Sequence, residues 1–543
     1  MTTQVAPTAD QQHQGGPLTG LRPLLAASLR QDTRLIVPWI AGVSALAMSS
    51  VLAFNILFND PTTKAEFITS VGANPAFNLI FGPPQDLSTV EGFTSWRSLT
   101  LGGFFVSLMA ILIVIRNSRA NEDSGQAELI ASGVVGRSAR LAVAVAMALI
   151  ASAAAGVVAS VGLVLLGGDA TSSIALGATF TASGFMFAAL AAVTAQVASD
   201  ARAAGSLAIG ILGGAFLLRG ALDTASTDGS SWWLSPLGWT QRVAPGTENN
   251  WWPLLACLGL TAALVVFAFL LQNRRDFGQG LIPARPGPAS GGAAAHLWGF
   301  TIRLNRSAIV SWTVGLLIVG GVFGLLSTTM IEVIQTNPAI AQLLAGGAAT
   351  YEALALGLII TLIDLLTIIA ALYGVGVANR VHSEEVAYRV EPLLAGQLSR
   401  SRYLLSNAAV ALLGPAVALL AATVVIGSIA AGASEPVTVG AVLTQGVLAL
   451  PALWLLIGIG LAAVAVRPQL RLVAWIAIVA TFGLTLLGPS FRLPDWALAI
   501  SPLWHVPNLE SPGPDYAGLL VTLALAALLV GVAFIGFRRR DIV

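Results

Sequence analysis

The stretch LGLIITLIDLLTIIAALYG occupies residues 356–374 and contains a single charged residue, Asp364. A helix of this length rises about 30 Å, which is the thickness of bilayer hydrocarbon. Similar apolar runs recur along the chain. Hydrophobic residues make up 56% of its 543 residues and charged residues 10%, and the mean hydropathy is +0.82. Because so little polar material cannot wrap a soluble core, we predict an all-α integral membrane protein that crosses the bilayer many times.

Twelve apolar runs are long enough to span, and they fall into two groups of six. The first group lies near 35–58, 99–115, 141–167, 173–197, 203–222 and 252–272. The second lies near 308–330, 354–377, 404–432, 438–465, 470–490 and 516–537. The first run has no small-residue cleavage pattern close to it, so we expect a retained span and no signal peptide.

Basic residues are distributed unequally between the alternate loops. One side, which contains both termini, receives 22 arginines, and the other receives four arginines and Lys64. By the positive-inside rule both termini are expected to be cytoplasmic. Given the arginine-rich composition, we expect the protein in a bacterial cell membrane.

Five sequence elements occur twice, in the same order, about half a chain apart. The pairs are 28–39 with 301–312, ANPAF (73–77) with TNPAI (336–340), SPLGW (235–239) with SPLWH (501–505), RRD (274–276) with RRD (539–541), and two longer charged stretches. Such order argues for duplication. Because each half has an even number of spans, both halves have the same orientation, which predicts a pseudo-two-fold axis along the membrane normal.

The duplication divides the chain into three parts. Residues 1–276 and 296–543 are the predicted halves, and 277–295, rich in Pro, Gly and Ala, is the predicted cytoplasmic linker. Before the first span of each half, at 18–34 and 296–307, an amphipathic segment is expected to rest along the inner interface.

The two charged stretches are NEDSGQAELIASGVVGRSAR (121–140) and HSEEVAYRVEPLLAGQLSRSR (382–402), here the first and second charged stretch. In both, a Glu is followed nine residues later by an Arg. Asn121 and Ser383 are suitable N-caps, and the acids after them suit a helix start. We therefore expect short cytoplasmic helices near 121–134 and 383–396. The alternative is a solvated connector that only enforces orientation, but orientation needs Arg and no paired Glu.

Nucleotide binding of the P-loop kind requires a Gly-rich loop followed by Lys and Ser or Thr. The only lysine, Lys64, is followed by Ala65, so ATP-driven work would need a separate subunit. The only cysteine, Cys257, allows no intrachain disulfide, and the scattered histidines suggest no metal site.

The chain resembles the twelve-span permeases of the actinobacterial polyketide-antibiotic (tetronasin-type) ABC exporters. The segments that carry this resemblance are 122–137, 383–402, the SPLGW and SPLWH elements and the terminal RRD. The resemblance covers essentially the whole chain. It implies a partner that is a homodimer of a cytoplasmic ATP-binding ABC subunit, which would bind ATP and Mg. It also implies that the charged stretches are coupling helices whose contact or helix-anchoring residues are Glu122, Glu128, Arg137, Glu385, Glu391 and Arg400.

Other candidate residues lie in the spans. Asp364 is the one acid clearly inside a predicted span, and such a carboxylate is either a proton or cation site or a protonated, hydrogen-bonded interior residue. Phe104, Phe105 and Met109 could line an apolar substrate path, although packing or lipid contact explains them more simply.

Three functions follow from these observations. The leading one is the transmembrane subunit of an ATP-driven exporter of hydrophobic compounds, drugs, antibiotics or lipids, with no catalytic residue, cofactor or nucleic-acid partner of its own. The second is a proton-coupled multidrug antiporter that uses Asp364. The third is a membrane glycosyltransferase with a carboxylate in the first outer loop, where the acids are Asp60, Glu66, Asp86 and Glu91.

Overall fold

The structure is a computed structural model, and every regular element among the residues that it describes is a helix. These residues are 16–57, 64, 68, 80–126, 135–225, 230–276, 278–282, 292, 296–336, 351–433, 437–487, 493–509 and 516–541. Twelve helical segments within these ranges are long and apolar enough to cross a membrane. The predicted all-α fold and the twelve predicted spans are confirmed.

The first of two compact units comprises Met1–Pro286. Its spans are α1 Leu21–Leu57, α2 Val90–Ile115, α3 Ala139–Leu165, α4 Ala170–Val197, α5 Ala201–Ala225 and α6 Trp252–Arg274. Short helical turns lie at Arg116–Ala120 (π), Asn121–Asp123 (α), Ser230–Leu234 (3₁₀) and Pro236–Gln241 (α). The spans of α2 and α4 are the most buried, each with 72% of its most apolar window inside the unit. The core of this unit therefore forms around its second and fourth spans.

The second unit comprises Gly287–Val543. Its helices are α7 Leu297–Thr336, α8 Tyr351–Val386, α9 Arg400–Ala433, α10 Val439–Leu448, α11 Leu450–Val466, α12 Leu472–Phe482 and α13 Ala517–Arg539. Short turns lie at Glu391–Leu394 (α), Pro468–Arg471 (3₁₀), Gly483–Leu487 (π), Asp495–Leu498 (α) and Pro502–His505 (3₁₀). The α10 and α11 helices together form one span. This span and that of α8 are the most buried, at 67% and 61%.

The amphipathic segments expected before the first spans are continuous with those spans. In the first unit α1 runs for 37 residues from Leu21, with Pro38 inside it. In the second, α7 runs for 40 residues from Leu297. Neither segment is a separate interfacial helix.

The α3 and α4 helices approach so closely that their backbones touch. A Cβ atom on Gly156 would overlap the carbonyl oxygen of Gly177, and a Cβ on Gly177 would overlap the carbonyl oxygen of Gly156 and the hydroxyl of Ser160. Small residues at this kind of spacing let membrane helices pack without a gap. The pairing fixes α3 against the buried α4.

The SPLGW and SPLWH elements have similar local structures, an α-helical turn in the first unit and a 3₁₀ turn in the second. Each Ser precedes a Pro at the start of a short helix. The ring N–H of Trp239 donates to the carbonyl of Trp233 at 2.9 Å, and Nε2 of the equivalent His505 lies 2.8 Å from the carbonyl of Ala499. In both cases the acceptor is six residues earlier, so the paired sequences give paired contacts.

Candidate functional site

Both charged stretches begin inside the helix that carries the second span of their unit. In the first unit, helical structure continues from α2 through Arg116–Ala120 to Asn121–Asp123. In the second, α8 continues to Val386. The predicted N-caps at Asn121 and Ser383 are therefore wrong, because both residues lie in the final turns of a longer helix. Of the two predicted coupling helices, 127–134 falls outside the described residues, and the second is limited to the four-residue turn Glu391–Leu394.

A left-handed residue ends the helical run at the same point in both units. Gly125 has φ +76° and the equivalent Tyr388 has φ +55°. The N–H of Gly125 donates to the carbonyl of Glu122 at 3.1 Å, and that of Tyr388 donates to the carbonyl of Glu385 at 2.9 Å. Left-handed backbone is the usual helix terminator, and Gly is the residue that adopts it without a steric cost.

Glu122 therefore lies at the end of a helix, where the helix dipole is negative. A carboxylate there is unfavourable by about 0.3–1 kcal/mol unless a cation offsets it. Arg275, the residue that follows α6, supplies that cation with two parallel hydrogen bonds of 2.7 and 2.9 Å to the Glu122 carboxylate. Arg119 adds a third at 2.6 Å. Side-chain exposure is 9% for Glu122, 6% for Arg275 and 0% for Arg119, so one carboxylate serves two buried guanidinium groups.

Arg137 closes the arrangement from the other end of the first charged stretch. Its Nη2 donates to the carbonyl of Arg275 at 2.9 Å and to that of Gln272 at 3.3 Å. The side-chain amide of Gln272 donates in return to the carbonyl of Arg137 at 3.0 Å. Both ends of the stretch are thus tied to the last turn of α6.

The second unit repeats the two main contacts, Glu to Arg and Arg to the carbonyl of that Arg, with equivalent residues. Arg540, the residue that follows α13, contacts both carboxylate oxygens of Glu385. Arg400 donates to the carbonyl of Arg540 at 2.9 Å. His382, at the position equivalent to Arg119, lies 3.7 Å from Glu385. We call this arrangement the carboxylate–arginine clamp, formed by Glu122, Arg137 and Arg275 in the first unit and by Glu385, Arg400 and Arg540 in the second.

Four of the six predicted coupling residues thus belong to the clamps, where Glu122 and Glu385 are largely buried, whereas Arg137 and Arg400 contact their own unit but stay exposed. Glu128 lies outside the described residues. Glu391 is exposed in the turn Glu391–Leu394, and its carboxylate makes no hydrogen bond or ion pair with any residue that the structure describes. The sequence reasoning missed Arg275 and Arg540 as site residues. The repeated RRD element was the signal that could have found them.

The predicted substrate-path residues do not form one surface in the first unit. Met109 is 1% exposed and belongs to the core, whereas Phe105 is 38% exposed. The ring of Phe104 packs edge-on against Phe216, with centroids 5.2 Å apart. Within the unit, Phe105 is the member of this trio that most readily contacts lipid or substrate.

Asp364 is half-buried in α8. Its carboxylate makes no hydrogen bond or ion pair with the residues that the structure describes. Asp364 is also not the sole acid inside a span, because α5 extends through Asp223. There Asp223 is buried and accepts hydrogen bonds from Arg219 at 3.0 Å and from Gln241 at 3.2 Å.

Two of the four loop carboxylates on which the glycosyltransferase hypothesis was based, Asp86 and Glu91, make hydrogen bonds within the fold. Asp86 accepts hydrogen bonds from the side chain and backbone N–H of Ser88, at 2.6 and 2.8 Å, and these bonds lower its pKa below the ordinary value. Glu91 accepts from the backbone N–H of Asp169 at 3.2 Å. Asp60 and Glu66 fall outside the described residues. Asp86 and Glu91 thus shape a turn and a helix start.

Among the described residues, twelve apolar helical segments in two units define a multi-pass α-helical membrane protein, the class that includes transport permeases. The family model described as the multidrug efflux system permease Rv1217c, C-terminal domain, matches residues 21–271 and 295–538. The chain is also 35% identical over 544 residues to the multidrug efflux system permease protein Rv1217c of Mycobacterium tuberculosis (strain ATCC 25618 / H37Rv), a match that covers 98% of this chain and 96% of that protein. The chain belongs to this multidrug efflux permease family. The narrower tetronasin-type assignment finds no support in these matches.

Proposed function

We propose that this chain is the transmembrane subunit of an ATP-driven exporter of hydrophobic compounds in a bacterial plasma membrane. A homodimer of a separate cytoplasmic ABC ATPase, which binds ATP and Mg, would supply the energy. The observation that carries the proposal is the carboxylate–arginine clamp, present once in each unit at equivalent positions. A homodimeric ATPase needs two contact segments on the permease, one for each of its subunits. Each clamp fixes one charged stretch in place, and so each unit offers one such segment.

The clamps explain how force on a charged stretch would reach the spans. Glu122 lies at the end of the second span of its unit, and Arg275 at the end of the sixth. Displacement of the first charged stretch would therefore pull on both spans together, because bidentate ion pairs resist separation and rotation. In the second unit Glu385 and Arg540 make the corresponding connection, although there a single nitrogen, Nη2 of Arg540, contacts both carboxylate oxygens.

Transport would proceed by alternating access. The nucleotide state of the ATPase would select between inward-open and outward-open arrangements, since a ligand shifts an equilibrium only by its differential affinity. The name of the mycobacterial relative supports drugs as the substrate class.

The direct test is reconstitution. The full-length chain, tagged and purified from membranes of its host, is expected to bring with it an ATPase whose Walker lysine mass spectrometry can identify. In proteoliposomes that hold this complex, ethidium accumulation is expected to require MgATP. It should fall to the level of empty liposomes when the Walker lysine is replaced by alanine. Full transport by the lysine variant, or by the permease alone, would exclude an ATP-driven mechanism.

The antiporter remains the second candidate because the Asp364 carboxylate lies inside a span without a partner among the described residues. We expect Asp364→Asn to keep MgATP-driven ethidium transport close to the rate of the unaltered chain. Thr361→Val is the matched control, since Thr361 is an exposed polar residue one turn earlier on α8. Transport that is lost in Asp364→Asn and follows an imposed proton gradient without ATP would establish the antiporter instead.

A further inference from the structure

The second charged stretch exposes an aromatic ring that the fold does not use. The Tyr388 side chain is 65% exposed, and Val386, two residues earlier, is 60% exposed. The first charged stretch has Gly125 at the equivalent position, so it has no comparable apolar projection there. The two units therefore have equivalent clamps but differ in the exposed apolar side chain beside them.

Tyr388 also has a backbone conformation that favours glycine. Its N–H donates to the carbonyl of Glu385, and the N–H of Arg389 donates to that of Glu384 at 3.0 Å. This is the hydrogen-bond pattern of a Schellman motif, whose left-handed position is usually Gly. With φ +55°, a tyrosine there is sterically disfavoured. Strained residues that are held in place by their surroundings are concentrated at functional sites.

The clamp and the ion pairs of the neighbouring Glu384 hold the strained turn. Glu385 is bound to Arg540, and Glu384 lies 3.4 Å from both Arg380 and Arg389. These ion pairs fix the helix end from which the ring projects. The turn is therefore presented on a rigid support, which lowers the entropic cost of binding a partner.

The same stretch carries exposed charged residues. The Arg389 side chain is 66% exposed, Arg402 is exposed, and Glu391 is the exposed acid of the same stretch. With Arg400, which is also exposed, three exposed cations against one anion make the exposed surface of this stretch basic. The complementary surface is an apolar pocket with acidic residues at its edge.

We propose that Tyr388 is the anchor residue by which the second charged stretch docks on the ATPase subunit, and that the first stretch docks without such an anchor. The inference rests on the proposed function and adds that the two ATPase contacts are unequal. Aromatic side chains in well-packed pockets account for much of the binding energy of protein interfaces. One ATPase subunit would thus be held mainly by an inserted ring and the other by polar contacts.

Tyr388→Gly separates docking from folding. Glycine relieves the left-handed backbone, so the variant should melt at the same temperature as the unaltered permease or higher. Its affinity for the purified ATPase subunit, measured with the full-length chain in nanodiscs, should fall by about 10- to 30-fold. Tyr388→Phe keeps the ring and is expected to bind within about threefold of the unaltered chain. Unchanged affinity in Tyr388→Gly would overturn the anchor and leave the proposed function standing.

A thiol at this position tests which surface covers the ring. Cys257 is the only cysteine of the chain and is buried, so Tyr388→Cys provides a single accessible thiol. We expect a water-soluble maleimide to label it in nanodiscs without ATPase, and the ATPase to protect it. A thiol that stays unlabelled without ATPase would place the residue in lipid and overturn the proposal. If no ATPase binds the unaltered chain, the proposed function itself fails.

Discussion

Glu122→Gln is expected to lower the free energy of unfolding of the first unit by about 3–5 kcal/mol, the usual result of removing one partner of a buried ion pair. Glutamine keeps the size of the side chain but leaves Arg119 and Arg275, at 0% and 6% exposure, without their shared anion. The loss should appear as a lower melting temperature of the purified permease in detergent or nanodiscs.

The second unit provides the comparison for this result. Glu385→Gln should cost less, because its arginine partner Arg540 is 15% exposed and its second partner, His382, is charged only when protonated. Glu391→Gln is the surface control and should change stability by less than about 0.5 kcal/mol. Equal melting temperatures for the Glu122, Glu385 and Glu391 variants would show that the clamps do not stabilise the protein.

Gly177→Ala is expected to destabilise the first unit by about 1–3 kcal/mol, although it adds a single methyl group. That methyl would overlap the Ser160 hydroxyl and the carbonyl oxygen of Gly156. Since one of the obstructing atoms belongs to the backbone, a change of rotamer cannot make room, and α3 and α4 must separate. Thermal unfolding of the purified variant would measure the effect.

Gly213→Ala is the matched control for this substitution. Gly213 lies inside α5, and a Cβ atom there would have no neighbour within 4 Å. With space available, alanine should be neutral or should stabilise the helix by about 0.5–1 kcal/mol. Destabilisation of the same size at both positions would mean that close packing is not the reason for Gly177.

The N-cap predictions were wrong because the same charged residues could lie either at the start of a new helix or at the end of the preceding one. Asn121 and the acids after it resemble a helix start, since a capping residue followed by carboxylates suits the positive end of a helix. The structure places these acids at the negative end of the preceding helix. The same inversion occurs at Ser383 and Glu385. A capping pattern marks the start of a helix only when the preceding helix has already ended. Here the preceding helical run ends only near the left-handed residues Gly125 and Tyr388.

The sequence by itself determined the twelve spans, the all-α fold and the paired stretches, because hydrophobicity and repetition can be read along the chain. Only the tertiary structure decided what the paired glutamates do. Glu122 meets Arg275 across 153 residues, and Glu385 meets Arg540 across 155. No local pattern specifies which distant cation completes such a pair. That choice depends on the fourth span of each unit, because both the second and the sixth span pack against it and their ends are thereby brought together.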